Sequence, residues 1–176
     1  GVYYSMEVFR GNFIVADAHH NRVLSVSREG DISILRDFGN IVPTGLDVSG
    51  NTIYMAQAGP IPHNPEDGKV VTFGPEGSGV TTLASGARLL VDVEFGRGRS
   101  LYALSQGVWN GVSEGSPALP NTGSLVGIND NGSFSIITDG LDRPTSMEIV
   151  KNTAYIVTLT GEIWTIDNVG SPPFGK

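Results

Sequence analysis

Four carboxylates stand at one position of a phrase that this chain repeats. They are Glu7 in Tyr4-Ser5-Met6-Glu7-Val8, Asp47 in Thr44-Gly45-Leu46-Asp47-Val48, Glu94 in Val91-Asp92-Val93-Glu94-Phe95 and Glu148 in Thr145-Ser146-Met147-Glu148-Ile149. Acids gathered at one level offer oxygen ligands to a hard cation such as Ca²⁺, and Asp92 adds a further acid to the third phrase. Crowded carboxylates also repel one another, which raises the pKa of at least one. The competing reading, and the preferred one, is that each acid accepts hydrogen bonds from the backbone and hydroxyls of the next repeat. Ser5, Thr44, Thr145 and Ser146 are the hydroxyl donors at hand, and a buried charge needs such partners.

Those acids need a scaffold that brings distant segments to one place. They recur at intervals of 40, 47 and 54 residues. Each phrase leads into a turn and a second apolar run: Phe13–Ala16, Ile53–Ala56, Leu101–Leu104 and Ala154–Val157. Further short runs follow at Val23–Val26 and Ile32–Leu35, with counterparts at Val70–Phe73, Val80–Leu83, Leu125–Ile128, Phe134–Ile137 and Ile163–Ile166. Short strands punctuated by Gly and Asx turns are a meander. A strand-only period of about 40–50 residues marks propeller blades. The runs are apolar on both faces, as sheets covered on both sides require. The expected fold is all-β: a β-propeller of four-stranded antiparallel blades in one domain over 1–176, with blades at 2–38, 42–86, 88–141 and 143–168. About 3.75 blades are present, because the last repeat ends after three strands and no spare strand precedes Val2. Such a sheet edge invites pairing, so a longer chain, or another copy through self-association, is expected to complete the ring.

Composition narrows the partners. The net charge of −7 argues against nucleic acid and anionic membranes. There is no cysteine, hence no disulfide or thiolate chemistry. No apolar run is long enough to span a bilayer, and no signal peptide is visible after Gly1.

Two connections between second and third strands are enlarged, Gly59–Gly68 and Gly107–Gly123. They lie on one face, and long loops in compact domains are usually functional. Trp109, Asn110 and His63 in these loops are the candidate ligand-binding residues. Trp109 equally suits folding down over the core. His19 and His20 are neighbours, so in extended chain they point to opposite sides, and they read as surface residues. No G-x-S-x-G, H-E-x-x-H, phosphate-cradling loop or EF-hand spacing occurs.

The segment Val15-Ala16-Asp17-Ala18-His19-His20-Asn21-Arg22-Val23 resembles a phrase of NHL-type repeats, as does Pro43-Thr44-Gly45-Leu46-Asp47-Val48 followed by Asn51-Thr52-Ile53-Tyr54. Val91-Asp92-Val93-Glu94-Phe95-Gly96 and the Pro-rich loop before Gly68-Lys69-Val70 resemble the ScyD/ScyE family more specifically. That resemblance implies a six-bladed, secreted-type propeller outside the cytoplasm, extracellular or periplasmic, and implies no particular activity. The expected function is non-enzymatic binding of a protein, glycan or small-molecule ligand on the loop-rich face, without a cofactor. One alternative is a metal-dependent hydrolase resembling gluconolactonase and strictosidine-synthase-like propellers, with Glu7, Asp47, Glu94 and Asn110 nearest a Ca²⁺ ion. The other is a structural role in assembly.

Overall fold

The computed structural model describes residues 1–170. Fifteen strands form four antiparallel sheets, each a meander in chain order. Blade 1 holds β1 (Tyr3–Phe9), β2 (Asn12–Asp17), β3 (Arg22–Val26) and β4 (Ile32–Asp37). Blade 2 holds β5 (Pro43–Ser49), β6 (Thr52–Gln57), β7 (Gly68–Phe73) and β8 (Thr81–Ala87). Blade 3 holds β9 (Leu90–Phe95), β10 (Leu101–Ser105), β11 (Gly123–Ile128) and β12 (Phe134–Leu141). Blade 4 has three strands among the described residues: β13 (Pro144–Val150), β14 (Thr153–Thr158) and β15 (Ile163–Asp167). The expectation of an all-β propeller of successive antiparallel blades is met. Any continuation of blade 4 past Gly170 lies outside the described residues.

Local chemistry makes the hairpins. Arg10 and Gly11 both take positive φ, 51° and 84°, in the two-residue turn between β1 and β2, where Phe9 pairs with Asn12. That is the turn geometry whose twist matches flanking strands. At Asn131-Gly132, Gly132 donates to the Asn129 carbonyl at 2.9 Å and Asn129 to the Ser133 carbonyl at 2.9 Å, closing the β11–β12 hairpin.

The repeated phrase falls on β1, β5, β9 and β13, the first strand of each blade, and these strands neighbour one another in that order. Each blade turns one face backward onto its predecessor. The blade 1–2 core joins Ile14, Ala16 and Val23 to Leu46, Ile53, Met55, Val71 and Phe73. The blade 2–3 core joins Ala56 and Val70 to Val93, Leu101, Ala103 and Val126. The blade 3–4 core joins Leu104 and Leu125 to Met147, Ile149, Ala154 and Ile156. Each fully buried side chain of this size contributes about 1.5–3 kcal/mol. Gly45 is fixed by the closeness of blades 2 and 3: a Cβ there would lie 2.5 Å from the Asp92 Cα and 2.8 Å from the Val93 nitrogen.

The ring is open. On the backward face of blade 1, Met6 pairs with Val15, Val15 with Leu24 and Leu24 with Ile34. Beside them run Val8, Phe13, Val26 and Ile32 in a second cross-strand row. Met6 is 59 % and Ile32 68 % exposed, so no sheet among the described residues covers this face. On the forward face of blade 4, Tyr155, Val157 and Ile163 are likewise exposed. Across the axis, the Tyr4 hydroxyl donates to the Thr145 carbonyl at 3.1 Å. No helix among the described residues is long and apolar enough to cross a membrane.

Candidate functional site

The first strand of each blade has one edge turned toward the channel. Its N–H and C=O groups find no ladder partner there, and unpaired buried backbone groups are costly. Side chains from the preceding blade supply the partners. Asp47 accepts from the Phe95 N–H at 2.7 Å and the Val48 N–H at 2.6 Å. One repeat later Asp92 accepts from the Met147 N–H at 2.7 Å and the Val93 N–H at 3.0 Å. The Thr44 hydroxyl donates to the Leu90 carbonyl at 2.9 Å, and the Ser5 hydroxyl donates to the Thr44 carbonyl. The carboxylates of Asp47 and Asp92 therefore tie successive blades. Asp92 is not in register with Asp47; it occupies the slot that Gly45 leaves vacant in blade 2.

Glu7, Asp47, Asp92, Glu94 and Glu148 share one channel, where burial first and neighbouring carboxylates second raise the proton affinity of Glu7, Asp92 and Glu94. Burial pushes the Glu94 carboxyl up to about 9, with Asp47, Asp92, Glu148 and Glu7 adding to the shift. Burial also raises Asp92 to about 7, against the opposing effect of its two N–H donors. Glu7 is raised by burial and by Asp47, and Asp47 is raised by burial. A carboxyl so placed favours its neutral form at pH 7. Among the described residues no three His, Asp or Glu side chains converge closely enough to hold a metal ion. The Tyr4 hydroxyl lies above the acids, its own proton held tightly by burial and by the Asp92 charge.

Above Tyr4 opens a cavity of about 610 Å³. Tyr4, Thr44 and Val91 lie at its inner end, and Val2, Val42, Leu89, His19, Ile61, His63, Gln106 and Glu114 stand around it. Val42 and Leu89 take positive φ, 52° and 42°. For side chains with a Cβ this conformation costs on the order of 1–3 kcal/mol, and for a β-branched valine it is rare. Each is pinned by a hydrogen bond from the residue beyond the second strand: Ala58 N–H to the Val42 carbonyl and Gln106 N–H to the Leu89 carbonyl, both at 2.9 Å. Arg143, at the start of blade 4, repeats the pattern with φ 46° and a 2.9 Å hydrogen bond from the Leu159 N–H, so this conformation is how the chain enters blades 2, 3 and 4.

Of the residues singled out from sequence, His63 lines the cavity. It is buried, its Nδ1 lies 3.3 Å from the Ala58 carbonyl oxygen, and its ring meets the Trp109 indole edge-on at 5.7 Å. Trp109 packs against the cluster of Ala58, Leu89 and Ala118, with its Nε1–H buried and unpartnered, and is not among the residues lining the cavity. Asn110 is not among the residues lining the cavity; its Oδ1 accepts from the Val112 N–H at 2.9 Å. His19 is exposed at the rim. The Asp17–Arg22 phrase is structural. Asp17 is fully buried and accepts from Arg22 Nε at 2.9 Å and faces His20 Nδ1 at 2.8 Å. Burial opposes its charge, yet the hydrogen bonds from Arg22 and His20 win and hold its carboxyl below the usual range. Asn21 Oδ1 receives the Ile41 and Val42 N–H groups at 3.0 and 2.9 Å and so sets the strained rim residue. Tyr4, Val42 and Leu89 carry no sequence signal, because aromatic and aliphatic residues at strand ends look like any core position.

No protein-family model matches the chain, and no curated protein does. Solved structures match in fold. A nidogen chain from a nidogen/laminin complex superposes with TM-score 0.68 at 16 % identity, over 90 % of this chain and 56 % of that one. A gluconolactonase of Xanthomonas campestris gives 0.65 at 18 % identity, over 89 % and 54 %. The computationally designed protein Ika4 gives 0.54 at 13 % identity, over 95 % and 93 %. The chain spans little more than half the length of the nidogen and gluconolactonase chains. These likenesses define the class as β-propeller, a fold that carries both ligand-binding and enzymatic members and fixes no activity by itself.

Proposed function

We propose that this chain is a non-enzymatic binding propeller of the secreted type, extracellular or periplasmic, and that its ligand sits in the cavity above Tyr4 on the loop-rich face. The observation that carries the reading is a concave space of ligand size whose lining mixes the apolar Val2, Val42, Ile61 and Leu89 with the polar His63 and Gln106. Such a wall suits a protein side chain, a glycan ring or a small molecule with an apolar face, and the reading calls for no cofactor. The nidogen neighbour comes from a complex with another protein, laminin. The residues resembling the ScyD/ScyE family support the secreted-type, extracellular or periplasmic part of the reading and carry no activity.

Tryptophan fluorescence tests it. Trp164→Phe leaves Trp109 as the single indole of the two present. Screening peptides and glycans against that variant should yield a binder that shifts Trp109 emission. Ile61→Arg, at an exposed position of the cavity lining, should abolish the shift without unfolding the protein. A binder that survives Ile61→Arg unchanged would place the site elsewhere.

The second reading is a metal-dependent lactonase-like hydrolase. The electrostatic coupling of Glu94 to Asp47, Glu148 and Glu7 in one channel and the likeness to a gluconolactonase favour it. Lactone hydrolysis that rises with added Ca²⁺ and falls in Glu94→Gln would establish it in place of the first.

A further inference from the structure

The cavity above Tyr4 is bordered by carboxylates and by no cation. Among the described residues that line it, the exposed Glu114 carries a formal charge, and no lysine or arginine is present, although the chain has 11 of them. Its inner end backs onto the channel acids. Val91 lines the cavity and Asp92 follows it in β9. A Cβ on Gly45, the residue after the lining Thr44, would meet the Asp92 carboxylate. The charge of Asp92 is felt at the Tyr4 phenol, at the same end.

The basic side chains are held elsewhere. Arg22 Nε donates to Asp17 at 2.9 Å, and Arg143 Nε donates to Asp142 at 2.7 Å. Lys69 and Arg88, near the same end of the blades, do not line the cavity. Arg10, Arg97, Arg99 and Lys151 stand at the opposite end, in the turns that join first to second strands, and those turns hold no acid. His63 adds an acceptor. Its Nδ1 lies 3.3 Å from the Ala58 carbonyl oxygen. A carbonyl only accepts, so Nδ1 carries the proton and the neutral ring keeps its lone pair at Nε2. The apolar wall of Val42, Ile61 and Leu89 completes a space suited to a hydrocarbon stem with a positive head.

We propose that the cavity takes an organic cation, an alkylammonium or alkylguanidinium group. Its stem lies along Val42, Ile61 and Leu89, and its charge is favoured by Glu114 and by the channel carboxylates behind Tyr4. An anion of the same size enters the same field with the opposite sign and meets no lysine or arginine. The inference rests on the reading of this cavity as the ligand site and adds the sign of the ligand's charge.

Amide shifts in NMR titrations with three probes of one stem test it: hexylammonium, hexanol and hexanoate. Hexylammonium should shift the amides of Ile61, Leu89, Gln106 and Ser116. It should bind at least about fivefold tighter than hexanol, the factor that one carboxylate contact gives in water, with hexanoate weakest. Added salt should narrow the preference, and Glu114→Lys, at an exposed position, should erase it. A lysine peptide flanked by leucines, against its norleucine counterpart, repeats the comparison for a side chain borne by a protein. Tighter binding of that peptide than of hexylammonium assigns the cation to a protein partner, and the reverse order assigns it to a free amine. Hexanol or hexanoate binding as tightly as hexylammonium at these amides would overturn the inference and leave the cavity as a ligand site. A preference untouched by Glu114→Lys and by salt would also overturn it. Absence of any shift at these amides would overturn both the inference and the placement of the ligand.

Discussion

Replacing Glu94 with glutamine should stabilise the protein at neutral pH and flatten its pH dependence. The Glu94 carboxyl is held at about 9 in the folded chain against an ordinary value of 4.5. The unfolded chain therefore loses this proton near pH 4.5, while the folded chain keeps it to about pH 9. Between those values the folded state binds more protons, so stability falls as pH rises through that window. Carrying the proton at pH 7 costs about 3 kcal/mol, taking 1.36 kcal/mol for each pH unit above the unfolded value. Glutamine fills the same space without that cost. Denaturant melts from pH 5 to pH 8 should show the native chain losing about 3 kcal/mol or more, with Asp92 adding to the loss around its own value of about 7. Glu94→Gln should lose far less and be the more stable form at pH 8. In thermal melts that difference is on the order of 6–12 °C for a chain of this length. Parallel pH curves for the two proteins, or a native chain more stable at pH 8 than at pH 5, would refute the picture of acids crowded into a desolvated channel.

Gly45→Ala should destabilise by about 3 kcal/mol or more, since its methyl would press on the Asp92 backbone between two packed blades; urea unfolding measures it. Tyr4→Phe should cost about 1 kcal/mol, the net worth of its hydrogen bond to the Thr145 carbonyl, and a zero cost in the same assay would speak against the bridge across the channel. Trp109→Phe should come close to neutral, because lost area is offset by removing an unpartnered buried N–H, whereas Trp109→Ala should cost about 3–5 kcal/mol; thermal melts of the pair separate the two contributions.

The fold was legible because its signal is periodic. Four acidic phrases followed by apolar runs are the first and second strands of four blades, whereas the β11–β12 connection takes five residues, 129–133, with positive φ at Gly132. The open flank was legible as a missing strand, but not as a face: only the cross-strand register reveals that Met6, Val15, Leu24 and Ile34 form one row. The acids were legible as a group. Their division of labour was not, because Asp92 takes the tying role in blade 3 from a slot two residues before Glu94, and that choice depends on the space Gly45 leaves. His63 was visible as a loop residue of functional type. The cavity's inner end and rim were not, since Tyr4, Val42 and Leu89 differ from ordinary strand residues only in backbone angle and in what lies above them.

Hydrogen exchange at two amides tests the channel most directly. The N–H groups of Phe95 and Met147 donate to Asp47 and Asp92 of the preceding blades. Both should exchange as slowly as the blade cores, with Asp47→Ala releasing Phe95 and Asp92→Ala releasing Met147 selectively. Fast exchange at both amides in the native chain, or protection indifferent to either substitution, would contradict the placement of the carboxylates as ties from one blade to the next.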